Sequence, residues 1–146
     1  MIISPGREAA VSQRNKDIIR RLREQIIPSG DLSQLDTLYT DDYVYHGIPS
    51  IGDLTGANAF KQLIAGFLAG IPDLRETVVD QIAEGDKVAT RLRGTGTHLG
   101  NLMGVPGSGK RMNWTAIVIS RFAGEKIAEE WIEFDALSFS QQLRPQ

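Results

Sequence analysis

The chain reads as one α+β domain spanning residues 1–146, with helices first and a curved antiparallel sheet after them. Two stretches before Pro72 carry apolar residues at helical spacing, and from Leu74 onward the pattern becomes strand-like, with alternating side chains separated by short turns. The length is sufficient for a core that needs no covalent staples. Packing then dictates the shape. About three amphipathic helices cover the concave face of one long sheet and leave a cone-shaped α+β barrel with an open mouth.

The first helix is expected over 8–27, where Val11, Ile18, Leu22 and Ile26 recur at spacings of seven and four. Its other face carries Arg14, Lys16, Arg20, Arg21 and Arg23, a basic stripe expected to stay solvated. Pro28-Ser29-Gly30 ends it. Asp31 is placed to cap a short helix bearing Leu32, Leu35 and Leu38. Asp41-Asp42 breaks that helix, Tyr43 to His46 reads as a short strand, and 47–56 as a Gly- and Pro-rich loop. The clearest helix is 57–70, where Phe60, Leu63, Ile64, Phe67 and Leu68 form a wide stripe that packs on a sheet; Pro72 stops it. Strands are expected over 74–84, 87–98, 111–122 and 126–135, with 74–134 forming one antiparallel curved sheet. A long loop fills 99–110, and a short helix over 136–143 closes the chain.

Composition excludes several classes. With 16 basic and 18 acidic residues and a net charge of −2, there is no basic field to hold nucleic acid. The absence of cysteine removes thiolate nucleophiles, disulfides and Cys-ligated zinc. The N-terminus has no basic start followed by an apolar run, and no window approaches the ~18 apolar residues of a spanning helix. A soluble, cytoplasmic domain without membrane partners is expected. Gly104 to Arg111, GVPGSGKR, resembles a phosphate loop, but Arg111 stands where Ser or Thr must hold Mg²⁺, and a strand follows where a helix is needed. Asn113-Trp114-Thr115 matches a glycosylation sequon inside an expected strand and is discounted. The only histidines, His46 and His98, are not spaced for a metal site, so no metal is expected.

The segment richest in possible chemistry is KIAEEWIEFD, Lys126 to Asp135. In a strand, Ile127, Glu129, Trp131, Glu133 and Asp135 share one face, and Ala128, Glu130, Ile132 and Phe134 the other. Neither face is purely apolar, so a sheet that buries this strand encloses a carboxylate. Such a group can work as an acid or base near neutral pH. The plainer alternative is that these glutamates lie on a solvated or subunit-facing side and pair with arginines. His98 ends a strand whose inward positions, Gly94 and Gly96, leave space beside them, so it either reaches a ligand or caps the strand.

The order of motifs resembles one family. Gly96 to Pro106 reads G-T-H-x-G-x-x-x-G-x-P; a G-E-K-I turn (Gly124 to Ile127), E-x-W-x-x-x-D (Glu129 to Asp135) and Q-Q-L (Gln141 to Leu143) follow. Upstream stand G-D-L-x-x-L-D (Gly30 to Asp36), D-Y-V-x-H (Asp42 to His46), Thr55-Gly56 and I-P-D-L (Ile71 to Leu74). From about Lys16 to Leu143 the chain looks like the SnoaL-like polyketide cyclases of the nuclear-transport-factor-2-like superfamily. The resemblance implies a cone-shaped fold with a pocket between sheet and helices, often a dimer through the sheet, and no cofactor or metal. It also implies an intramolecular aldol ring closure of a polyketide ester, served by a pocket aspartate on the last strand and a histidine on the strand before. Gap-free matching places Ile132 at the aspartate and Val118 at the histidine. His98 and Asp135 match family positions.

The expected catalytic set is therefore Glu130, as base in an apolar tryptophan-lined cavity, with His98 and Asp135. The expected pocket lining is Tyr45, His46, Phe67, Met103, Trp114, Val118, Ile132 and Phe134. Glu130 should hold a proton more readily than a free glutamate, unless Arg91, Arg93 or another cation reaches it. Three functions remain open: a cofactor-free cyclase or isomerase acting on a hydrophobic carbonyl compound, a non-catalytic domain that binds a hydrophobic small molecule, and a scaffold that only dimerises. Ile117, Ile119 and Trp131 face outward and would leave an uncovered apolar patch in a monomer, so a homodimer through the sheet is expected.

Overall fold

The structure is a computed structural model that describes residues 4–47 and 51–144. Ser4 caps the first helix by accepting the Arg7 N–H, and Pro5 opens it where a missing amide costs nothing. This helix, α1 (Pro5–Arg21), does not run unbroken to residue 27. It passes into a π turn, Leu22–Ile26, in which the Ile27 N–H reaches back to the Leu22 carbonyl. One α turn, Ile27–Ser29, then ends on the left-handed Gly30. The wider turn re-phases the helix, so Ile19, Leu22, Ile26 and Ile27 are all buried. Arg23 goes inward with them. It is 4 % exposed, which overturns its expected place on the solvated stripe. The next segment, Leu32–Thr37, is a 3₁₀ helix that Asp31 does not cap; the Asp31 carboxylate accepts from the Ser33 hydroxyl instead.

The strand expected from residue 43 begins earlier, as β1 (Tyr39–His46). The expected loop 47–56 includes residues 48–50, which lie outside the described residues; its remainder contains β2 (Leu54–Thr55). The helix read at 57–70 is α2 (Ala57–Gly70), with Phe60 and Ile64 buried. Then come β3 (Arg75–Glu84), β4 (Lys87–Thr97), β5 (Arg111–Ala123), β6 (Lys126–Phe134) and α3 (Ala136–Leu143). No described helix is long and apolar enough to cross a membrane.

The strands form one sheet in the order β2-β1-β6-β5-β4-β3. The meander from β3 to β6 is antiparallel throughout, whereas β1 joins β6 in parallel. The alternation of β5 buries Met112, Ala116, Val118, Ser120 and Phe122 on the concave side. Against it, Glu130, Ile132 and Phe134 of β6 also face inward, paired with Ser120, Val118 and Ala116. A register shift next to Arg121 sets Ile127 opposite Phe122, so Ile127 is fully buried inside and not on the outer side that strict alternation gives it. A second bulge, between Val78 and Asp80, bends β3. The helices α1, α2 and α3 lie over β3 and β4, over β1 and β2, and over β5. The result is the α+β cone expected from the sequence.

Candidate active site

Between the sheet and the helices lies a cavity of ≈ 70 Å³, on the order of five waters in capacity. Half-buried Leu63 and Phe67 of α2, Trp114 of β5, and Ile132 and Phe134 of β6 form its outer part. Phe139 of α3 seals one side, its ring meeting those of Trp114 at 5.5 Å, Phe134 at 6.0 Å and Phe67 at 6.1 Å, edge to face. Ile27 and Tyr45 line the buried inner end, where the polar groups are Arg23 and Glu76.

This pair joins the π turn to β3. Arg23 lies in the π turn, and Glu24 on the same turn accepts the Val78 N–H at 2.9 Å, fixing the turn to the bulged strand. Glu76 faces inward two residues before Val78, and Arg23 Nη1 lies 3.5 Å from its Oε1, with both side chains more than nine-tenths buried. Burial is the largest influence on Glu76 and pushes its carboxyl above the ordinary value; Arg23 opposes the rise, and the nearby Glu130 adds to it. For Arg23 burial acts downward, but Glu76, then Glu130, Tyr45 and Tyr39 outweigh it and hold the guanidinium firmly charged. Burial first, and Glu130 among the neighbouring groups, likewise keep the Tyr45 phenol protonated.

Glu130 is fully buried, but it is not among the residues that line the cavity. Its two oxygens are taken up behind the cavity wall, where Tyr43 donates to Oε1 at 2.8 Å and Ser120 to Oε2 at 2.6 Å. The carboxylate that lines the cavity is Glu76. Arg91 and Arg93 lie on the outer, exposed parity of β4, so the cation that acts on Glu130 is Arg23.

The remaining candidates separate. Tyr45, Phe67, Trp114, Ile132 and Phe134 come together around the cavity. His98 is fully buried, but its ring is used within the 99–110 loop: Nε2 donates to the Val105 carbonyl at 3.1 Å, and Nδ1 lies 3.4 Å from the Ser108 hydroxyl. The space beside the glycines is already filled. A Cβ on Gly94 would lie 2.1 Å from the Trp114 ring, and one on Gly96 2.1 Å from Ile71. Asp135 is exposed and caps α3 by accepting the Ser138 N–H. Met103 sits at a tight loop turn with φ 52°, 58 % exposed. His46 lies between Asp53 at 3.0 Å and Glu129 at 2.7 Å and stacks on Trp131, away from the cavity. Val118 is fully buried beneath the lining, packed with Val78 and Leu92. Among the described residues no group of histidines and carboxylates is placed to hold a metal ion.

A curved sheet covered by helices, with an apolar cavity between them and Arg23 beside Glu76 at its inner end, is the cone-shaped α+β arrangement. The SnoaL-like polyketide cyclase family model matches residues 17–143, and the chain belongs to that family. No curated protein matches it. Among solved structures, a candidate SnoaL-like polyketide cyclase from Jannaschia sp. CCS1 superposes with a TM-score of 0.84 at 22% identity, covering 100% of this chain and 99% of that one. IdmH from Streptomyces antibioticus, described as a candidate polyketide cyclase, is 32% identical with a TM-score of 0.78, covering 88% and 97%. AclR from Streptomyces galilaeus, described as a candidate hydroxylase, is 26% identical with a TM-score of 0.72, covering 96% and 97%.

Proposed function

We propose that the protein is a cofactor-free acid/base enzyme that moves a proton at carbon in a hydrophobic carbonyl compound, as a cyclase or isomerase does, with Glu76 as the base. The observation that carries this reading is the position of Glu76: it is the carboxylate lining an apolar cavity, and its proton affinity is raised by burial. Tyr45, on the same inner end and held protonated, is suited to donate to a developing enolate oxygen. Glu130 takes a supporting part in this reading, acting through Arg23 and Glu76, while His98 holds the loop and Asp135 the last helix. A homodimer through the outer face of the sheet belongs to the same proposal. Ile117 is 49% and Ile119 39% exposed there, and Trp131 is half-buried beside them.

The test is exchange of the acidic α-hydrogens of ethyl benzoylacetate with D2O, followed by proton NMR. Glu76→Gln keeps the shape and removes the base, so exchange above the buffer rate should fall by about 100-fold or more. Undiminished exchange in that variant overturns the assignment. Ile132 and Val118 are opposed on neighbouring strands where the family resemblance places an acid/base pair, and this favours a second reading as a binding domain. Binding of the probe without exchange in the wild-type protein selects it.

A further inference from the structure

The cavity of ≈ 70 Å³ is smaller than the substrate proposed for it. An apolar cavity that takes in benzene measures roughly 150 Å³, and small-molecule sites run from about 300 Å³ upward. A carbonyl compound that bears a ring therefore enters only if one wall moves. The sheet is fixed by its ladder. The first helix is fixed through its π turn, by Arg23 on Glu76 and by Glu24 on the Val78 N–H. At both ends α2 is tied by backbone hydrogen bonds: the Gly56 N–H donates to the Tyr43 carbonyl, and the Gly70 carbonyl accepts from Leu99 and Gly100. The remaining wall is α3, which contributes Phe139.

This helix is held in a different way. β6 pairs with β5 as far as Phe134 opposite Ala116, and the Asp135 N–H adds a last bond to the Thr115 carbonyl before the chain turns into α3. Past that point the Gln142 carboxamide takes the place of a strand peptide. Its Oε1 accepts the Asn113 N–H at 2.9 Å, and its Nε2 donates to the Asn113 carbonyl at 2.8 Å. Lys110 Nζ donates to the Gln142 main-chain carbonyl at 3.1 Å. On the inner side Phe139 and Leu143 are buried, and the Phe139 ring sits among Phe67, Trp114 and Phe134, which line the cavity. A ligand ring in the same recess meets the same three rings, so its burial offsets what Phe139 loses on leaving. We propose that α3 is the lid of the cavity: it swings about Asp135, the Gln142 latch lets go, and the ring of a hydrophobic carbonyl compound takes the place of Phe139. This rests on the reading above that the substrate reacts in this cavity, and not on which group is its base.

A lid of this kind makes an unusual prediction: weakening the latch tightens binding, because the closed form loses bonds that the complex does not contain. Binding of ethyl benzoylacetate is followed by quenching of tryptophan fluorescence in the wild type and in Gln142→Met, which keeps the side chain's length and removes both bonds to Asn113. The variant should bind about fivefold or more tighter, the effect of two neutral hydrogen bonds. Damage to the fold would weaken binding or leave it unchanged, and either result overturns the lid. A second measurement needs no variant. Amide exchange at Asn113 in the wild type, followed by NMR, should quicken at saturating ethyl benzoylacetate, since the complex frees that N–H from Gln142. Equal or slower exchange overturns the lid, as does the absence of binding to both proteins up to the solubility limit of the probe. Binding to Gln142→Met alone supports it. Tighter binding in the variant without α-hydrogen exchange in the wild type keeps the lid and refutes Glu76 as base. Exchange of the α-hydrogens with equal affinities refutes the lid alone.

Discussion

Two tyrosines on β1 provide a controlled comparison of what one buried hydroxyl contributes. Tyr43 is fully buried and Tyr39 is 2 % exposed; their rings lie 4.4 Å apart, and both pack on Phe60. Only their hydroxyls differ. That of Tyr43 donates to Glu130 at 2.8 Å, whereas that of Tyr39 has no partner among the described residues. Replacing either with Phe preserves the ring and its contacts. Tyr43→Phe removes one of the two donors to a carboxyl sealed from water, and a hydrogen bond to such a group is worth about 1.5–3 kcal/mol. Tyr39→Phe removes a buried polar atom that gains nothing, so its cost should be near zero or negative. Urea unfolding followed by circular dichroism should show the Tyr43 variant less stable by that amount. In a chain of this size the melting temperature should drop by about 3–12 °C. An equal or larger loss in Tyr39→Phe would refute the hydrogen-bond inventory around Glu130.

Further outcomes follow from other parts of the molecule. The Glu129 bond and both carboxylates raise the pKa of His46 above its ordinary 6.5, so its contribution to stability is full below pH 6.5 and is lost as pH rises through the raised value. Glu129, lowered from 4.5 chiefly by its bond to His46, contributes above pH 4.5 and loses this as pH falls through its lowered value. Unfolding free energy measured against pH should show wild type gaining on His46→Gln between those limits, by less than about 1 kcal/mol because the pair is partly exposed; a constant difference from pH 4.5 to 9 would refute it. Gly94→Ala sets a methyl 2.1 Å from the Trp114 indole and should cost about 1–3 kcal/mol with a changed near-ultraviolet circular dichroism band. An unaltered band and stability would place the indole elsewhere. Sedimentation equilibrium should find a dimer at micromolar concentration that Ile117→Lys dissociates; a wild-type monomer would rule out the sheet-face association.

Most of the fold was legible in the chain because it rests on local patterns. The stripe Phe60, Leu63, Ile64, Phe67 gave the helix 57–70, and alternation gave the inner faces of β4 and β5, down to Val88, Thr90 and Leu92 on one side. Alternation also put Glu130 inside with Ile132 and Phe134. It could not say how deep each lies: Ile132 reaches the cavity, while Glu130 stops behind it, because Tyr43 and Ser120 converge on it from two other strands. The expected role of Gly94 and Gly96 failed for a similar reason. A glycine makes room, but which side chain takes the room is decided by the neighbouring strand and by the turn after α2, here Trp114 and Ile71.

The polar pair at the inner end leaves a trace in the sequence. Ile19, Leu22, Arg23 and Ile26 stand at i, i+3, i+4 and i+7, so Arg23 occupies a core position in its helix; Glu76 shares the inward parity of Val78. What no local pattern contains is that these two meet. The π turn that carries Arg23 is held through Glu24 to a strand fifty-four residues later, next to a bulge in β3. Sequence alone determined which faces are apolar, because burial periodicity is a property of neighbours along the chain. Only tertiary packing decided which carboxylate faces the cavity, because two inward carboxylates of equal parity are told apart by partners from other elements, Tyr43 and Ser120 for Glu130 and Arg23 for Glu76.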